Sequence, residues 1–532
     1  MKLSIAFVVA VAAPAAGAQV ALPTDFITPP SQPNGDYFGG DLDLDGGVLA
    51  VGARNDSALV PSAGSASVFE RSPGGGWVFA ARLDPPSPSN LGFFGSVVAV
   101  SGDQVLVASH RDDTVGLDEG AVFVFERQTD GTWPLVQTLL PPDSALTTEF
   151  GRAMDATGDR LVIAAQTANY QVSPNLTYLY ARQGDGTWAQ EHTIVEGRND
   201  VLGVEFSGDG GLLAASWADI DFLSSTETVF VYKREPGGNW THFSDMTIAA
   251  FSPTNDDFGR GLAFLPEAGE QRLFIGAPGY GKGTVFVYRI EPNGQMTQLD
   301  TFTGLGSNRF GYEIVATPDR VYVGDPAPEL QQVAKGQVYI VERTGPTNWA
   351  EALQLAYTPV DPGDGAGFGR SLALDGSELL VGRAGVGPVQ ATAPGAVARF
   401  ADVRLLHREI EISVSDGGTQ ELFLAHGADL GGRPYLVLGT LSGTAPGLPL
   451  PGAIHLPLNP DAYTDLTLAG AGPLTGAIGI LKLNGRADVT LTLPPASDPA
   501  LVGLVAHHAS VVLGLNQTLA AVGGPAPLTL VP

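Results

Sequence analysis

The stretch that decides the fold covers residues 94–137 and reads FGSVVAVSGDQVLVASHRDDTVGLDEGAVFVFERQTDGTWPLVQ. Two apolar runs, Val97–Val100 and Val105–Ala108, flank a Ser-Gly-Asp turn, which is the chemistry of a β-hairpin. After a loop rich in Asp and Gly, the β-branched and aromatic run Ala121–Phe125 is typical of a third strand. A weaker run at Trp133–Gln137 suits an outer edge. The stretch therefore predicts a unit of four antiparallel strands.

The same unit returns along the chain at a nearly constant period. Successive starts lie 56, 56, 52, 56, 52 and 58 residues apart. A period of this size is typical of solenoids and propellers, and the first and last units lack the polar caps of a solenoid. We therefore predict an all-β fold built on a seven-bladed β-propeller. The units start at Phe38-Gly39, Phe94-Gly95, Phe150-Gly151, the degenerate Leu202-Gly203, Phe258-Gly259, Phe310-Gly311 and Phe368-Gly369.

A Phe-Gly start combined with Gly-Ala-Pro at the end of the second strand is clearest in the fifth unit. There Phe258-Gly259 is followed by Gly276-Ala277-Pro278. This pattern resembles the FG-GAP repeat, the integrin-alpha N-terminal type of β-propeller unit, here of an exported bacterial type. The resemblance covers about residues 35 to 400. It implies a seven-bladed propeller used mainly for extracellular binding, often with calcium in its loops.

The calcium loops that this resemblance implies have an Asp-x-Asn-x-Asp-Gly pattern between the first two strands. Most units here have a tight turn at that place, too short to supply the roughly six or more oxygens that calcium needs. The closest match is residues 41–46, where Asp41, Asp43 and Asp45 are the candidate metal ligands. They fall where other units have their first strand, so we interpret them as one polar face of a strand. We expect no cofactor, with calcium as the alternative.

The seventh unit lacks a clear fourth strand, so closure of the ring requires a strand from another part of the chain. The segment Ala21–Ile27, ahead of the first Phe-Gly pair, could fill the slot by strand exchange, and Val403–Leu406 is the alternative. Five of the six tryptophans follow the third strand of a unit, and we predict that they pack in the core. They are Trp77, Trp133, Trp188, Trp240 and Trp349.

The two ends of the chain differ from the repeats. Lys2, an apolar run and Ala16-Gly17-Ala18 predict a signal peptide over residues 1–18, cleaved near Ala18. No later stretch is long enough to span a membrane, so we expect a secreted or envelope-associated protein. The repeats occupy residues 19–402, and we predict a small β-sandwich at residues 403–532, where strand-like runs alternate with Pro- and Gly-rich turns.

Charge and composition exclude several classes of function. The formal net charge is −28, from 28 Lys and Arg against 56 Asp and Glu, and such a surface repels the phosphates of nucleic acids. Cysteine is absent, which excludes thiol catalysis and thiolate metal sites. The 69 glycines and 40 prolines fit a chain of many short strands and turns.

The sequence contains no recognisable catalytic motif, so we predict no catalytic residue and no enzyme activity. The best cluster is His110 with Asp112 and Asp113, which we interpret as a solvated turn. His507 and His508 are adjacent, so on a strand they face opposite ways and cannot bind one ion together.

Three functions fit the sequence. The first is a non-catalytic binding or adhesion protein that engages an extracellular protein or polysaccharide through loops such as Arg54–Ala63 and His110–Glu119. The second is a structural envelope component anchored by the C-terminal domain. The third is a secreted enzyme acting on polysaccharide, which would need carboxylates converging near the central channel.

Overall fold

The computed structural model describes sixteen ranges of the chain. In this part of the chain the structure is nearly all β, and no helix is long enough and apolar enough to cross a membrane. The predicted signal peptide lies outside the described residues. The ranges are 20–30, 36–73, 75–114, 116–142, 147–167, 175–196, 200–221, 224–249, 256–267, 269–304, 309–326, 336–356, 367–384, 395–450, 454–514 and 518–532.

Two short strands precede the first Phe-Gly pair, β1 (Val20–Ala21) and β2 (Asp25–Ile27). The next sixteen strands form four antiparallel sheets, each of four strands in chain order. They are β3 (Phe38–Asp45), β4 (Val48–Ala53), β5 (Ser65–Arg71), β6 (Trp77–Leu83); β7 (Val97–Ser101), β8 (Gln104–Ser109), β9 (Ala121–Glu126), β10 (Leu135–Leu139); β11 (Thr147–Thr157), β12 (Arg160–Thr167), β13 (Asn175–Arg182), β14 (Trp188–Glu196); and β15 (Asp200–Phe206), β16 (Leu212–Asp221), β17 (Ser224–Arg234), β18 (Trp240–Ala249).

Three more sheets of the same kind follow, and they recruit the two N-terminal strands. The fifth and sixth consist of β19 (Leu262–Glu267), β20 (Glu270–Ala277), β21 (Thr284–Ile290), β22 (Met296–Thr303); and β23 (Ile314–Ala316), β24 (Arg320–Asp325), β25 (Gln337–Arg343), β26 (Trp349–Ala356). The seventh has β27 (Phe368–Asp375), β28 (Glu378–Arg383) and β29 (Ala396–Phe400). β1 pairs in parallel with β26, and β2 pairs antiparallel with β29, where Phe26 lies opposite Ala398.

Strand exchange therefore supplies the outer strand of the seventh sheet, as predicted, but only through Asp25–Ile27 of the predicted segment Ala21–Ile27. Ala21 pairs with the sixth sheet instead. The alternative segment, Val403–Leu406, lies elsewhere, because β30 (Leu405–His407) pairs with a strand of the C-terminal part. The seventh sheet also packs against the first sheet, with the same close backbone contact that the first sheet makes with the second. A Cβ added to Gly64 would collide with the Phe94 carbonyl oxygen, and one added to Gly395 would collide with that of Phe38. The sheets thus form a closed ring.

The Phe-Gly pair marks the point where each inner strand enters this ring. Phe94 is fully buried in a cluster that joins Val68 of the first sheet to Val107 of the second. Gly95 has φ +81°, and a Cβ there would collide with the Ser65 carbonyl oxygen of the preceding sheet. This junction therefore requires a large apolar residue followed by glycine.

The tryptophans pack between sheets, as predicted. Trp188 Nε1 donates a hydrogen bond of 2.8 Å to Gln104 Oε1 of the preceding sheet, and Trp240 Nε1 donates one of 3.0 Å to Glu191 Oε1. Apart from the half-buried Trp77, the repeated tryptophans are buried. Each thus fastens the outer part of one sheet to its neighbour.

After the repeats, the chain forms two further sheets that share one apolar cluster. The first contains β30, β32 (Gly418–Ala425), β38 (Arg486–Leu493) and β36 (Leu474–Thr475); the second contains β31 (Glu411–Ser413), β40 (Leu519–Val531), β39 (Val505–Leu513), β33 (Pro434–Thr440) and β37 (Ile478–Ile480). A hairpin, β34 (Leu448–Leu450) and β35 (Ile454–Leu456), and one helix, α1 (Ala462–Leu468), complete this part. The adjacent histidines lie on β39, where His507 is half-buried and His508 is buried.

The C-terminal part packs directly on the last two sheets of the ring. Val403, Leu406 and Phe423 belong to the same apolar cluster as Leu353 and Phe400. Polar contacts reinforce this junction, since the Arg320 guanidinium donates to the Val403 and Ala425 carbonyls, and Arg486 pairs with Glu342 at 2.8 Å. Part of the core of the ring is therefore completed by residues beyond the last repeat.

Candidate functional site

The inner strands of all seven sheets surround a central channel with a volume of about 330 Å³. Along each strand, side chains alternate between the channel and the neighbouring sheet. Five acidic side chains line the channel, namely Asp41, Asp43, Asp155, Glu205 and Glu313. Its wall is therefore acidic along much of its length.

Three carboxylates of β3 hold the next inner strand in place. Asp41 Oδ2 accepts a hydrogen bond of 2.7 Å from the Val98 amide, and Asp45 Oδ2 accepts one of 2.8 Å from Gly102. In the same way, Asp155 of the third sheet accepts a hydrogen bond of 2.7 Å from the Phe206 amide of the fourth sheet. An inner strand is a sheet edge with unpaired N–H groups, and these carboxylates supply acceptors for them.

Burial raises the pKa values of the channel carboxyls, and neighbouring negative charges add to the effect. The pKa of Asp41 rises to about 7 and that of Asp43 to about 6. Burial, with the charges of Asp41 and Asp43, raises the pKa of Glu313 to about 8, and the pKa of Glu205 lies well above its usual value. The channel therefore carries less negative charge at neutral pH than its composition suggests.

The predicted metal candidates lie along one strand, and their carboxylates accept hydrogen bonds from backbone amides. Asp41, Asp43 and Asp45 lie at alternate positions of the strand β3, as interpreted from the sequence, and each is bonded to backbone amides. In the tight turns, Asp103 is paired with Arg182 at 2.6 Å and Asp375 with Arg71 at 2.8 Å. Among the described residues, no group of three or more His, Asp or Glu side chains is placed to hold a metal ion.

One mouth of the channel is basic. It lies at the end where the inner strands begin, and it is lined by five half-buried arginines from the first, third, fifth, sixth and seventh sheets or their entry segments. We call this cluster the arginine mouth. Its members are Arg54, Arg152, Arg260, Arg309 and Arg370.

Two buried tyrosines organise the arginine mouth. The guanidinium carbon of Arg54 lies 4.3 Å from the ring centre of Tyr37, and that of Arg260 lies 4.6 Å from the ring centre of Tyr312. Arg370 bridges the two rings at 5.2 and 5.3 Å. The Tyr312 hydroxyl also accepts a 2.7 Å hydrogen bond from Arg260 Nη2. Cation–π contacts of this kind fix the planes of the guanidinium groups.

The positive charge of the arginine mouth shifts the pKa values of neighbouring side chains. Burial raises the pKa of Tyr312, but the charges of Arg260, Arg370, Arg309 and Arg54 outweigh burial and leave the pKa below its usual value. Burial, and then the charges of Arg152, Arg111 and Arg54, lower the pKa of His110 to about 3. The mouth thus favours negative charge and disfavours a further cation.

His110 is not in a solvated turn, so that prediction is wrong for His110 and for Asp112. Both side chains are buried, and Asp112 accepts a 2.8 Å bond from the Thr114 amide, while Asp113 is exposed. The His110 ring stacks on Phe93 and its Nδ1 lies 2.8 Å from Ser96 Oγ. A second Ser–His contact of the same length joins His426 Nε2 to Ser510 Oγ in the C-terminal part. At His110, the contact has the geometry of a catalytic dyad. The surrounding arginines oppose the imidazolium form that a general base must reach.

The two loops predicted to bind ligand lie on the same face as the arginine mouth. The first loop, Arg54–Ala63, ends at the entry of the second sheet, where the Ala63 carbonyl accepts a 2.9 Å hydrogen bond from the Phe94 amide. In the second loop, the Asp118 carbonyl accepts a 2.8 Å bond from the Glu149 amide. Leu59 and Leu117, one in each loop, are exposed. The loops therefore lie beside the mouth of the channel.

Sequence reasoning missed the arginine mouth, although a signal was present. Arginine follows the Phe-Gly pair directly in three units, as Arg152, Arg260 and Arg370, and Tyr312 takes that position in a fourth. Because the Phe-Gly pair marks the start of each inner strand, the same offset places these residues at one end of the channel.

Comparison with known proteins identifies the repeat. The family described as FG-GAP repeat matches residues 26–69 and 77–125, so the first two repeats are FG-GAP repeats. No curated protein matches the chain. Three solved structures resemble it: a chain of the Mitotic Checkpoint Complex (13% identity, 75% of this chain, 99% of that chain, TM-score 0.44), U3-55K (12%, 72%, 99%, 0.44) and a protein from Lactobacillus plantarum (14%, 60%, 85%, 0.40).

Proposed function

We propose that this FG-GAP β-propeller protein is an exported, non-catalytic binding protein. It engages an extracellular or cell-envelope ligand, a protein or a polysaccharide, at the face where the arginine mouth opens. In this proposal residues 1–18 are removed as a signal peptide, residues 19–402 form a seven-bladed propeller, and residues 403–532 form a β-sandwich. No cofactor takes part.

The arginine mouth with the two loops beside it is the observation that carries this proposal. A rigid ring presents two long loops and five arginines on one face, and recognition residues are commonly found on loops held by such a scaffold. The exposed Leu59 and Leu117 add apolar contact area next to the charged centre. This face therefore combines anchor residues with a polar centre suited to specific binding.

The geometry of the acidic side chains supports a non-catalytic function. A polysaccharide hydrolase needs one carboxyl group free to protonate the substrate and another free to attack or to activate water. Here Asp41, Asp43 and Asp155 are occupied by backbone amides of the neighbouring strands. The positions of these three carboxylates are explained by their role in joining neighbouring inner strands.

A structural role in the envelope is the second candidate, and one observation favours it. The edge strand β37 exposes Ile478 and Ile480, and Leu483 beyond it is 87% exposed. An uncovered apolar edge strand is a surface suited to assembly. In this alternative the C-terminal part, rather than the arginine mouth, makes the essential contact.

The test uses the full mature chain, because residues beyond Asp402 complete the core of the ring. Binding to envelope fractions and exopolysaccharide of the source organism is measured for the wild type and for Leu59→Ser combined with Leu117→Ser. Val78→Ser, an equally exposed apolar site on an outer strand, is the matched control. The proposal expects saturable binding that the loop variant weakens and the control retains.

Two further results would redirect the proposal. Binding that is unaffected by the loop variant but lost on substitution of Ile478 and Ile480 by Ser favours the structural role. Release of reducing sugar from the polysaccharide favours the enzyme. The assay is repeated with calcium and with chelator, and we expect no difference, since the candidate ligands Asp41, Asp43 and Asp45 are bonded to amides.

A further inference from the structure

We propose that the arginine mouth is a binding site for a small oxyanion, a carboxylate, sulfate or phosphate group, borne on a ligand of low overall charge. The inference rests on the proposed binding function and specifies the chemistry of its central contact. The five arginines form the site. The rings of Tyr37 and Tyr312 hold four of them in position, namely Arg54, Arg260, Arg309 and Arg370.

The first argument is the concentration of arginine against the charge of the whole chain. The protein has 28 basic residues and 56 acidic ones, yet five arginines converge on one mouth of the channel. Like charges that converge repel one another, and Arg370 opposes the charge of Arg260 directly. Such a cluster is favourable when an anion binds among the guanidinium groups.

The second argument is preorganisation. Arg54, Arg260 and Arg370 lie over tyrosine rings at 4.3 to 5.3 Å, so their planes are set before a ligand arrives. A stacked guanidinium keeps its N–H groups at its edge, where they can donate in pairs to an oxyanion. Because the arginines are already ordered, little side-chain entropy is lost on binding.

Acidic groups face the same arginines and compensate them only in part. Asp41 and Glu313 lie on the channel side of Arg260, Asp257 lies nearby, and Glu149 lies 3.7 Å from Arg152. The raised pKa values of Asp41 (about 7) and Glu313 (about 8) mean that both are partly protonated at neutral pH. Positive charge therefore predominates at the mouth.

The surroundings of the site limit the kind of anion. Below the mouth the channel is lined by the carboxyl groups of Asp41, Asp43, Asp155, Glu205 and Glu313, so the wall offers an anion no further positive charge. Around it lies a protein with a net charge of −28, which repels long polyanions over about one Debye length. A single oxyanion on an otherwise neutral molecule meets the arginines without this repulsion.

The test measures binding of pure probes to the full mature protein by ligand-observed NMR at low salt. The probes are sodium sulfate by competition, sodium phosphate by competition, galacturonate, and acetyl-Ala-Ala with its free carboxylate; galactose is the uncharged analogue of galacturonate. We expect galacturonate to bind at least about tenfold more tightly than galactose, as one or more charge-assisted hydrogen bonds require. The tightest of the anionic probes identifies the source of the oxyanion.

Arginine variants locate the site. Arg309→Gln with Arg370→Gln should weaken anion binding about tenfold or more, while Arg127→Gln, an exposed arginine at the opposite face, should leave it unchanged. Unfolding midpoints confirm that each variant is folded. Equal binding of galacturonate and galactose, or equal loss in the Arg127 variant, overturns the inference.

Failure of this inference is distinguishable from failure of the proposed function. If the double variant still binds the envelope while the loop variant does not, the oxyanion site is wrong and the binding function stands. If the wild type binds galacturonate at the mouth but no envelope material, the site is right and the function is wrong. Tighter binding of polygalacturonate than of galacturonate per carboxylate contradicts the single-oxyanion ligand.

Discussion

Asp43 Oδ2 accepts a hydrogen bond of 2.7 Å from the backbone amide of Val100, 57 residues further along the chain. The same offset joins Asp41 to Val98 and Asp45 to Gly102. A pattern that resembles a calcium loop is thus a row of acceptors that join the inner strand of the first sheet to that of the second. The carboxylates replace the backbone pairing that two adjacent sheet edges cannot make.

We expect Asp43→Ala to reduce the free energy of unfolding by about 1–3 kcal/mol, because the Val100 amide then lacks its acceptor. Asp43→Asn keeps a carbonyl oxygen at this place and should cost less. Equilibrium denaturant unfolding measures both variants. Asp416→Ala, an exposed site in the C-terminal part, is the control. Equal stability of the alanine variant and wild type would show that the bond contributes nothing.

The raised pKa values of the channel carboxyls predict that stability falls as pH rises from about 6.5 to 8. In the folded protein Asp41, Asp155 and Glu313 still bind protons in this range, with pKa values of about 7, 7 and 8. The unfolded chain has already lost these protons, so a rise in pH favours unfolding. Buried histidines add nothing here, since their lowered pKa values affect stability only below about pH 6.5.

Unfolding midpoints at several pH values test this dependence. Glu313→Gln should flatten the slope, because it removes one of the titrating groups, and Glu70→Gln, at the half-buried Glu70 far from the channel, should not. A midpoint that rises with pH across this window would contradict the prediction.

Exchange of the N-terminal strand can be tested by cross-linking, since the chain has no cysteine of its own. Phe26→Cys with Ala398→Cys places two thiols at paired positions, and an oxidised link should form and stabilise the fold by about 2–4 kcal/mol. Phe26→Cys with Ala396→Cys is the mismatched control, two residues out of register. Gel mobility and unfolding under oxidising and reducing conditions report the outcome. Equal cross-linking of both pairs would refute the observed register.

Two ion pairs that occupy similar places between sheets should differ in their contribution to stability, because one is buried and the other is exposed. Glu378 is buried against Arg71, Arg399 and Trp77, where the seventh sheet meets the first. Glu70 pairs with the exposed Arg127 where the first meets the second. Glu378→Ala should cost about 3 kcal/mol of unfolding free energy, and Glu70→Ala about 0–1 kcal/mol. Denaturant unfolding measures both, and equal losses would contradict this view.

The ionisation of Tyr312 reports the charge of the arginine mouth. We expect Arg370→Gln to raise the pKa of Tyr312, because one of the positive charges that lower it is removed. The difference in phenolate absorbance between each protein and its Tyr312→Phe counterpart isolates this tyrosine. Arg127→Gln should leave the pKa unchanged. A pKa that does not respond to Arg370 would place that charge outside the mouth.

The sequence by itself determined the repeated four-stranded sheets, because a strand, a tight turn and a Phe-Gly junction are each specified by neighbouring residues. It also determined that residues 41–45 form a strand, since their alternation has a period of two. It did not determine the environment of His110, whose burial depends on Phe93 and on arginines from other parts of the chain. It also missed the long strand β40, where the Gly- and Pro-rich sequence resembles a loop.

Only the tertiary structure decided that five arginines and two tyrosines, contributed by five of the seven units or their entry segments, meet at one end of a channel. Arg54 lies in a loop after a second strand, Arg309 precedes a Phe-Gly pair and Arg370 follows one, so no single spacing relates them. Their distances depend on how the ring closes, through Asp25–Ile27 pairing with Ala396–Phe400, and that closure joins residues more than half the chain apart. Local sequence sets each sheet, whereas the ring brings the charges together.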